Sequence, residues 1–445
     1  MMVGDETEYL HRIIETVSAD YLEVRLQKSS GERIRYTNGR VEGIHNFQVG
    51  DIAVRALKNG SWMILHRSDL REGVLRDLPS IILRSMEGLP EGDARVAGSE
   101  PCMMKKEIKG RDVSLEEKIE FLEDLQSSIM EDFLIWSSTI LYSEVTVFRR
   151  IITSEGGDLT EKIPFSLFRS TISTKRSSYS GSFGFSGEVN GAVLKEGIEK
   201  MHTATISQLR GRMVKPGRYD VILAPSLTGL FIEEVVGHPA EGDFIAEGKS
   251  HLKGVIGEQI APDSVTVLDA PVEGSFGLMF FDDEGVPARR KEIVKEGVLT
   301  GYIHSRESAA LLGDEPNGGG RGEMGKLQAP RLSTIYMERG DFEMDELLEV
   351  PYGIYADGAA GGYLSMLDQR FEINAQEAYI IENGEFKQPL MGISIRGRVD
   401  EALMKIDAVG KDFSIVNAGF DDKRGQVVPV SRGGPSIRIL DVWVE

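Results

Sequence analysis

A chain of 445 residues exceeds one ordinary domain, so two or three folding units are expected. Its 51 Lys and Arg against 71 Asp and Glu give a net charge of −20 with no basic block, which excludes a general nucleic-acid binder, because phosphate contacts need clustered cations. The single cysteine, Cys102, excludes an intrachain disulfide and a cysteine-rich zinc site; no long apolar run and no secretory leader are present, which predicts a cytoplasmic protein without membrane contact.

Leu10, Ile13, Ile14 and Val17 fall on one face and predict a short helix over 7–18. Strand-like segments follow near 21–27, 33–37, 40–47, 51–57 and 61–66. They are separated by Ser29-Ser30-Gly31, Asn38-Gly39 and Asn59-Gly60, and Asn-Gly is the strongest short hairpin signal. An amphipathic helix is expected over 70–87, then a linker rich in Gly, Pro and charge over 88–113. Ser114 is placed to cap a helix over 115–130, where Leu115, Ile119, Leu122, Leu125 and Ile129 repeat at helical spacing. Alternating strands dense in Ser, Thr, Phe and Tyr fill 133–188, and a helix over 190–209 closes this half. The expected class is α+β, with an N-terminal domain, 1–210, in which helices are layered on an antiparallel sheet.

Pro216-Gly217 marks the boundary to a second domain, 217–445. Residues 219–225 read as a buried strand, with Ser226 as the cap of the helix that follows. From Val265 onward, short apolar segments alternate with turn signals at Asp282-Asp283-Glu284-Gly285, Glu296-Gly297, Asp357-Gly358, Glu382-Asn383-Gly384 and Gly433-Gly434. That pattern predicts a β-rich barrel or sandwich around one central helix.

The end of this central helix carries the chemistry: Glu233-Glu234-Val235-Val236-Gly237-His238-Pro239-Ala240-Glu241-Gly242-Asp243. Glu234 and His238, four apart, share a helix face. Glu233 and His238, five apart, diverge by roughly 140° on a regular helix. They meet one cation only if the helix widens or ends between them, and Gly237 and Pro239 give it a reason to end. Carboxylates around an imidazole suit a divalent metal with a neighbouring Glu as base, though solvated acidic side chains would read the same way. His304 lies on a strand-like segment and reads as a satisfied or surface histidine, while His251 lies in a polar loop. Asn317-Gly318-Gly319-Gly320-Arg321-Gly322 lacks the strand, the Lys-Ser/Thr pair and the helix of a phosphate loop, and reads as a flexible loop. Beside a cleft, Gly319 and Gly320 are placed to clamp an extended substrate through backbone hydrogen bonds. Arg331 is a candidate contact for a peptide carbonyl or carboxylate, with a structural salt bridge as the alternative.

The order of motifs resembles the TldD/PmbA family, also described as peptidase family U62, and its TldD side more closely. The TldD signature, His-Glu-x-x-x-His followed by x-x-Glu-Gly-Asp, stands here as residues 233–243 with Glu233 in the first place. The resemblance continues through Asp282-Asp283-Glu284-Gly285-Val286-Pro287, Gly301-Tyr302, Pro330-Arg331, Gly361-Gly362 and Pro435-Ser436-Ile437-Arg438, covering nearly all of 217–445. It implies a zinc peptidase that trims or degrades unfolded peptides, as a homodimer or paired with a catalytically silent paralogue. Zinc in the family is held by the two motif histidines and a Cys near the C-terminus, with the motif Glu as base. Carried over, Glu234 stands at the base and His238 at the second histidine. Two positions depart: Glu233 replaces the first histidine, and Asp421 stands where the Cys belongs, with Asp422 as the alternative register. Both changes bring in carboxylates, which zinc accepts but which suit Mn, Fe(II) or Mg better than a thiolate site does. Two expectations follow. One is a metal-dependent peptidase with Glu234 as base and His238, Glu233 and Asp421 as ligands. The other is a catalytically silent subunit or peptide-binding scaffold that has lost zinc.

Overall fold

The computed structural model describes residues 6–445. The first helix, Glu6–Thr16, buries Leu10 and Ile13. The strands after it are longer than the sequence pattern suggests: Tyr21–Thr37 and Arg40–Lys58 each run without a break. Gly31 is not a turn residue. It lies opposite Val145, whose Cα would be 2.9 Å from any Cβ at this position, so glycine is needed to let the next strand approach. The true reversals are Asn38-Gly39 and Asn59-Gly60, both residues of each pair having positive φ, as a two-residue hairpin turn demands. Strands Ser61–Arg67, Ser137–Thr153, Asp158–Ser173 and Ser178–Ser186 extend this antiparallel sheet. The expected linker contributes a strand, Met103–Glu107, paired parallel to Asp158–Ser173.

Among the described residues, the four α-helices of this half use one face of the sheet. Ile34, Tyr36, Ile140, Phe168 and Ile172 pack against helices Leu115–Met130 and Gly191–Ser207, the first closed by a capping box of Ser114 with Glu117. Leu22, Val24, Ile52 and Val54 pack against Glu6–Thr16 and Glu72–Met86. Because side chains alternate along a strand, the odd-numbered residues of Tyr21–Thr37, Ser137–Thr153 and Asp158–Ser173 point the other way.

In the C-terminal half, strands Tyr352–Ser365, Gly217–Leu223, Ile437–Val444, Ile393–Arg398 and Arg370–Glu382 pair in that order. The last also pairs with the first, so the five close into a barrel. Helix Pro225–Ile232 is the central element, with Leu227, Leu230, Phe231 and Ile232 packed against Ile354, Phe371, Ile373 and Ile437. Its cap is Ala224 and not Ser226. Pro225 starts the helix because its missing N–H is one that would lack a partner anyway, and Ser226 Oγ instead donates to Asp357 Oδ1 at 2.5 Å. Two expected turns are strand segments. Gly433-Gly434 ends strand Gln426–Gly434, where a Cβ on Gly229 of the helix would lie 2.6 Å from the Gly433 nitrogen. Asp357-Gly358 lies within Tyr352–Ser365, just before a register shift between Ala359 and Gly361.

The two halves share one large sheet, joined where Asn417 pairs with Phe183. They are also clamped by charge. Asp282-Asp283-Glu284-Gly285 does turn, Gly285 having φ 75°, but its carboxylates penetrate the N-terminal sheet. Buried Asp283 accepts from Arg25 and from Arg149, each at 2.6 Å. Glu284 accepts from Arg55 at 2.8 Å, and Arg55 also reaches Glu23 at 2.9 Å. Among the described residues no helix is long and apolar enough to cross a membrane.

Candidate metal centre

Helix Pro225–Ile232 does not simply stop. Glu233–Gly237 continues as one π turn, in which the N–H of His238 reaches back to the carbonyl of Glu233, and His238–Ala240 tightens into a 3₁₀ turn. The helix therefore widens between Glu233 and His238. Gly237 lets the turn pack closely, since a Cβ there would lie 2.7 Å from Ile335 Cδ1 on the adjoining strand Thr334–Met337.

The widened turn sends Glu233 elsewhere than toward His238. Glu233 is buried and accepts a charged hydrogen bond from Arg432 on strand Gln426–Gly434. The residues brought together are His238, Asp421 and Glu241, whose ligand-capable atoms all lie within 4.8 Å of one another. Glu241 is the member that sequence reasoning missed. His238 Nδ1 is 3.6 Å from Glu241 Oε1, and that oxygen is buried with no hydrogen-bond partner among the described residues. The signal was available: His238 and Glu241 are three apart, and the 3₁₀ turn stacks residues at that spacing. Asp421, buried on strand Ser414–Lys423, is the member of the group; its neighbour Asp422 is exposed on the opposite face.

Cations fix the carboxylates. Lys423 Nζ donates to Glu241 Oε2 and to Asp243 Oδ1, both at 2.7 Å, which anchors the Glu-Gly-Asp tail. Gly242 between them donates to the Ile303 carbonyl at 2.8 Å, and a side chain on it would strike His304, whose Nδ1 lies 2.6 Å from the Cβ position. Buried Arg331 donates from Nε to the Asp421 carboxylate and from Nη2 to the Asp421 carbonyl, so its guanidinium faces the protein. Gly319 and Gly320 are buried rather than in a flexible loop. Their backbone is spent internally, Gly320 N on Asp282 Oδ2 at 2.9 Å and the Gly319 carbonyl on Arg331 N at 2.9 Å. His304 is buried against Ser308 and Asp314, and His251 lies outside the group.

The electrostatics of the group follow from burial and from these neighbours. Burial pushes Glu234 up to about 7, with Glu233 and Asp421 adding to the rise while His238 and Arg432 oppose it. For His238, burial works against the charged ring, but Glu241, Asp421 and Glu234 outweigh it and raise the imidazole to about 10. Burial of Asp421 is likewise overcome, by His238 and Arg331, which hold its carboxyl below the usual range. Glu234 is 9% exposed, and Gly362 leaves it room, since a Cβ there would lie 2.9 Å from Glu234 Cγ.

Three family models cover the chain: the PmbA/TldA metallopeptidase domain 1 over residues 22–78, the central domain over 108–204 and the C-terminal domain over 216–445. A metalloprotease of Methanothermobacter thermautotrophicus is 32% identical, spanning 99% of each chain. The chain belongs to the TldD/PmbA metallopeptidase family. A zinc metalloprotease TldD homolog of Saccharolobus solfataricus is 34% identical over 56% of each chain. Among solved structures, a Thermotoga maritima chain matches 99% of this chain and 100% of its own at TM-score 0.81 and 20% identity. TldE from Thermococcus kodakarensis matches 98% and 99% at TM-score 0.77 and 16% identity. These likenesses show that the TldD/PmbA fold is shared from end to end. Family membership implies a divalent metal, and the residues present fit one: two carboxylates and an imidazole converge, and one buried carboxylate oxygen lacks any other partner.

Proposed function

We propose that this chain is a metal-dependent peptidase for extended, unstructured peptides, with His238, Glu241 and Asp421 holding a divalent cation and Glu234 moving the proton. The observation that carries the reading is the convergence of His238, Glu241 and Asp421, with Glu241 Oε1 buried and facing His238 and no other residue among those described. A divalent cation, when bound, supplies Lewis-acid polarisation of the scissile carbonyl. Glu234, at about 7, is balanced between its two protonation states near neutral pH. It therefore suits accepting a proton from the attacking water and returning it to the leaving amine. Arg331 and Lys423 act by positioning, fixing Asp421 and Glu241 against His238. Glu233 belongs to the support of the site through Arg432. Zinc is the metal inferred from the named relative, while two carboxylates and one imidazole also suit Mn or Fe(II). The working unit is inferred to be a cytoplasmic homodimer, or a heterodimer with a paralogous family member.

The test is metal content of the purified protein, followed by hydrolysis of an unfolded peptide with and without added Zn, Mn or Fe(II). Glu234→Gln is expected to lower turnover by about 10²–10⁴-fold, the usual contribution of a general base, while leaving metal content unchanged. Fully metallated protein that is inactive, with Glu234→Gln indistinguishable from it, would refute the reading. A second reading, the catalytically silent subunit or peptide-binding scaffold, draws on the cations already present: Arg331 on Asp421, Lys423 on Glu241 and Arg432 on Glu233. It requires that the purified protein hold no stoichiometric metal.

A further inference from the structure

The helix-free face of the N-terminal sheet is unexplained by the metal centre. Strands Tyr21–Thr37, Ser137–Thr153 and Asp158–Ser173 turn their odd-numbered side chains to it, and the C-terminal half covers it only in part. What remains is a trough of about 1190 Å³, large enough for several residues of an extended peptide. Its floor is apolar, with half-buried Leu141, Val145, Val147 and Phe165. Phe420 and Val427, each 43% exposed, form one wall. Asp421, next to Phe420, points to the opposite side of its strand, so the trough and the metal centre lie on different faces of one sheet.

The charges in the trough balance in number but not in pairing. Its six carboxylates are already engaged: Asp283 and Glu161 by arginines, Glu42 by Arg35, Glu144 by Lys118 and Tyr142, Asp51 by His66 and Ser68, Glu323 by the Val427 N–H. Two of its arginines are not. Arg33 stacks on Phe47 at 5.0 Å and Arg169 on Phe420 at 5.3 Å, and neither has a carboxylate partner among the described residues. Both are exposed. A guanidinium over a ring keeps N–H groups free, and such a fork takes a carboxylate in two parallel hydrogen bonds. Six arginines and six carboxylates line the trough, and Arg33 and Arg169 are left with ring contacts in place of a counter-ion.

We propose that this trough is a docking site for an extended acidic peptide, whose carboxylates engage Arg33 and Arg169 and whose apolar side chains lie on the Leu141–Val145–Phe165 floor. A single-stranded nucleic acid is the less suited occupant, since two free cations neutralise few phosphates. The site goes beyond the peptidase reading and does not depend on it, because docking needs no metal.

Fluorescence anisotropy on the full-length, metal-free chain tests it, at about 0.15 M ionic strength, where charges beyond ~8 Å are largely screened. The probes are a labelled peptide alternating Glu and Leu, its Lys/Leu counterpart and an oligo-thymidylate. Saturable binding of the Glu/Leu peptide alone is expected. It should weaken about tenfold or more in Arg33→Glu/Arg169→Glu, and by a smaller factor in Arg33→Gln/Arg169→Gln, which adds no repulsion. Arg218→Glu/Arg398→Glu, exposed elsewhere and equal in charge, should leave it unchanged. Equal binding of both peptides, preference for oligo-thymidylate, or indifference to the Arg33/Arg169 reversal would each overturn the proposal. So would sedimentation showing that the reversal separates a dimer while the parent protein binds no peptide.

Discussion

Glu241→Gln separates the metal group seen in the fold from the one that spacing along the chain suggests. The change keeps shape and volume but removes the charge of a carboxylate whose buried oxygen faces His238 Nδ1 at 3.6 Å without another partner. Two unit charges about 4 Å apart interact by about 4 kcal/mol at an effective dielectric of about 20. Part of that loss is offset, because Glu241 also helps His238 keep its proton, and that proton competes with a cation. A net loss of about 1.4–4 kcal/mol is expected, or metal binding weaker by roughly ten- to a thousandfold. Glu233→Gln is the matched control. It removes an equal charge at a buried residue already paired with Arg432 and outside the group, so binding should fall by much less than in Glu241→Gln. The assay is competition of Zn and Mn against a chromophoric chelator, on variants whose thermal midpoints and far-UV spectra match the parent. If Glu233→Gln abolishes binding and Glu241→Gln leaves it intact, the group is wrongly drawn.

Metal binding should release close to one proton near pH 7, because His238 lies at about 10 without metal and is charged there. Affinity should therefore rise as pH climbs toward that value, and titration calorimetry in buffers of different ionisation heat should give buffer-dependent enthalpies; identical enthalpies would contradict the assignment. Asp283→Ala leaves buried Arg25 without a carboxylate, while Arg149 keeps Glu161. It should cost about 3–5 kcal/mol, read as a lowered thermal midpoint, whereas exposed Glu91→Ala should stay within about 0.5 kcal/mol. Gly229→Ala puts a Cβ 2.6 Å from the Gly433 nitrogen and should cost about 1–3 kcal/mol by overpacking; an unchanged midpoint would mean the helix shifts freely.

Local chemistry was legible wherever a residue acts on its own stretch of chain. The Asn-Gly hairpins, the Ser114 capping box and the apolar stripes of the helices follow from propensities that need no partner. Glycine was misread where its reason is remote. Gly31 and Gly433 resemble turn residues in sequence but serve close approach, to strand Ser137–Thr153 and to helix Pro225–Ile232 respectively, and only the neighbouring element reveals that. The Asp282-Asp283-Glu284 segment is similar. Its turn was readable, while its partners Arg25, Arg55 and Arg149 lie well over a hundred residues away in the chain.

At the site, the same distinction decides which carboxylate matters. The requirement that the helix widen between Glu233 and His238 could be derived from five-residue spacing alone, and a π turn meets it. Widening was necessary for Glu233 to reach His238, but not sufficient. Arg432, 199 residues on, offers Glu233 a charged hydrogen bond within the core, and no pattern inside residues 233–243 announces it. Glu241 gains its place in the opposite way. The three-residue spacing from His238 was in view, and Lys423 draws its other oxygen so that Oε1 is left facing the imidazole. Lys423 and Asp421 lie two apart on one strand and therefore share a face, so the strand that brings the aspartate to His238 also brings the cation that orients Glu241. A carboxylate group of this kind is assembled by its countercharges, and a search for ligands by spacing should weigh where the neighbouring Lys and Arg will fall.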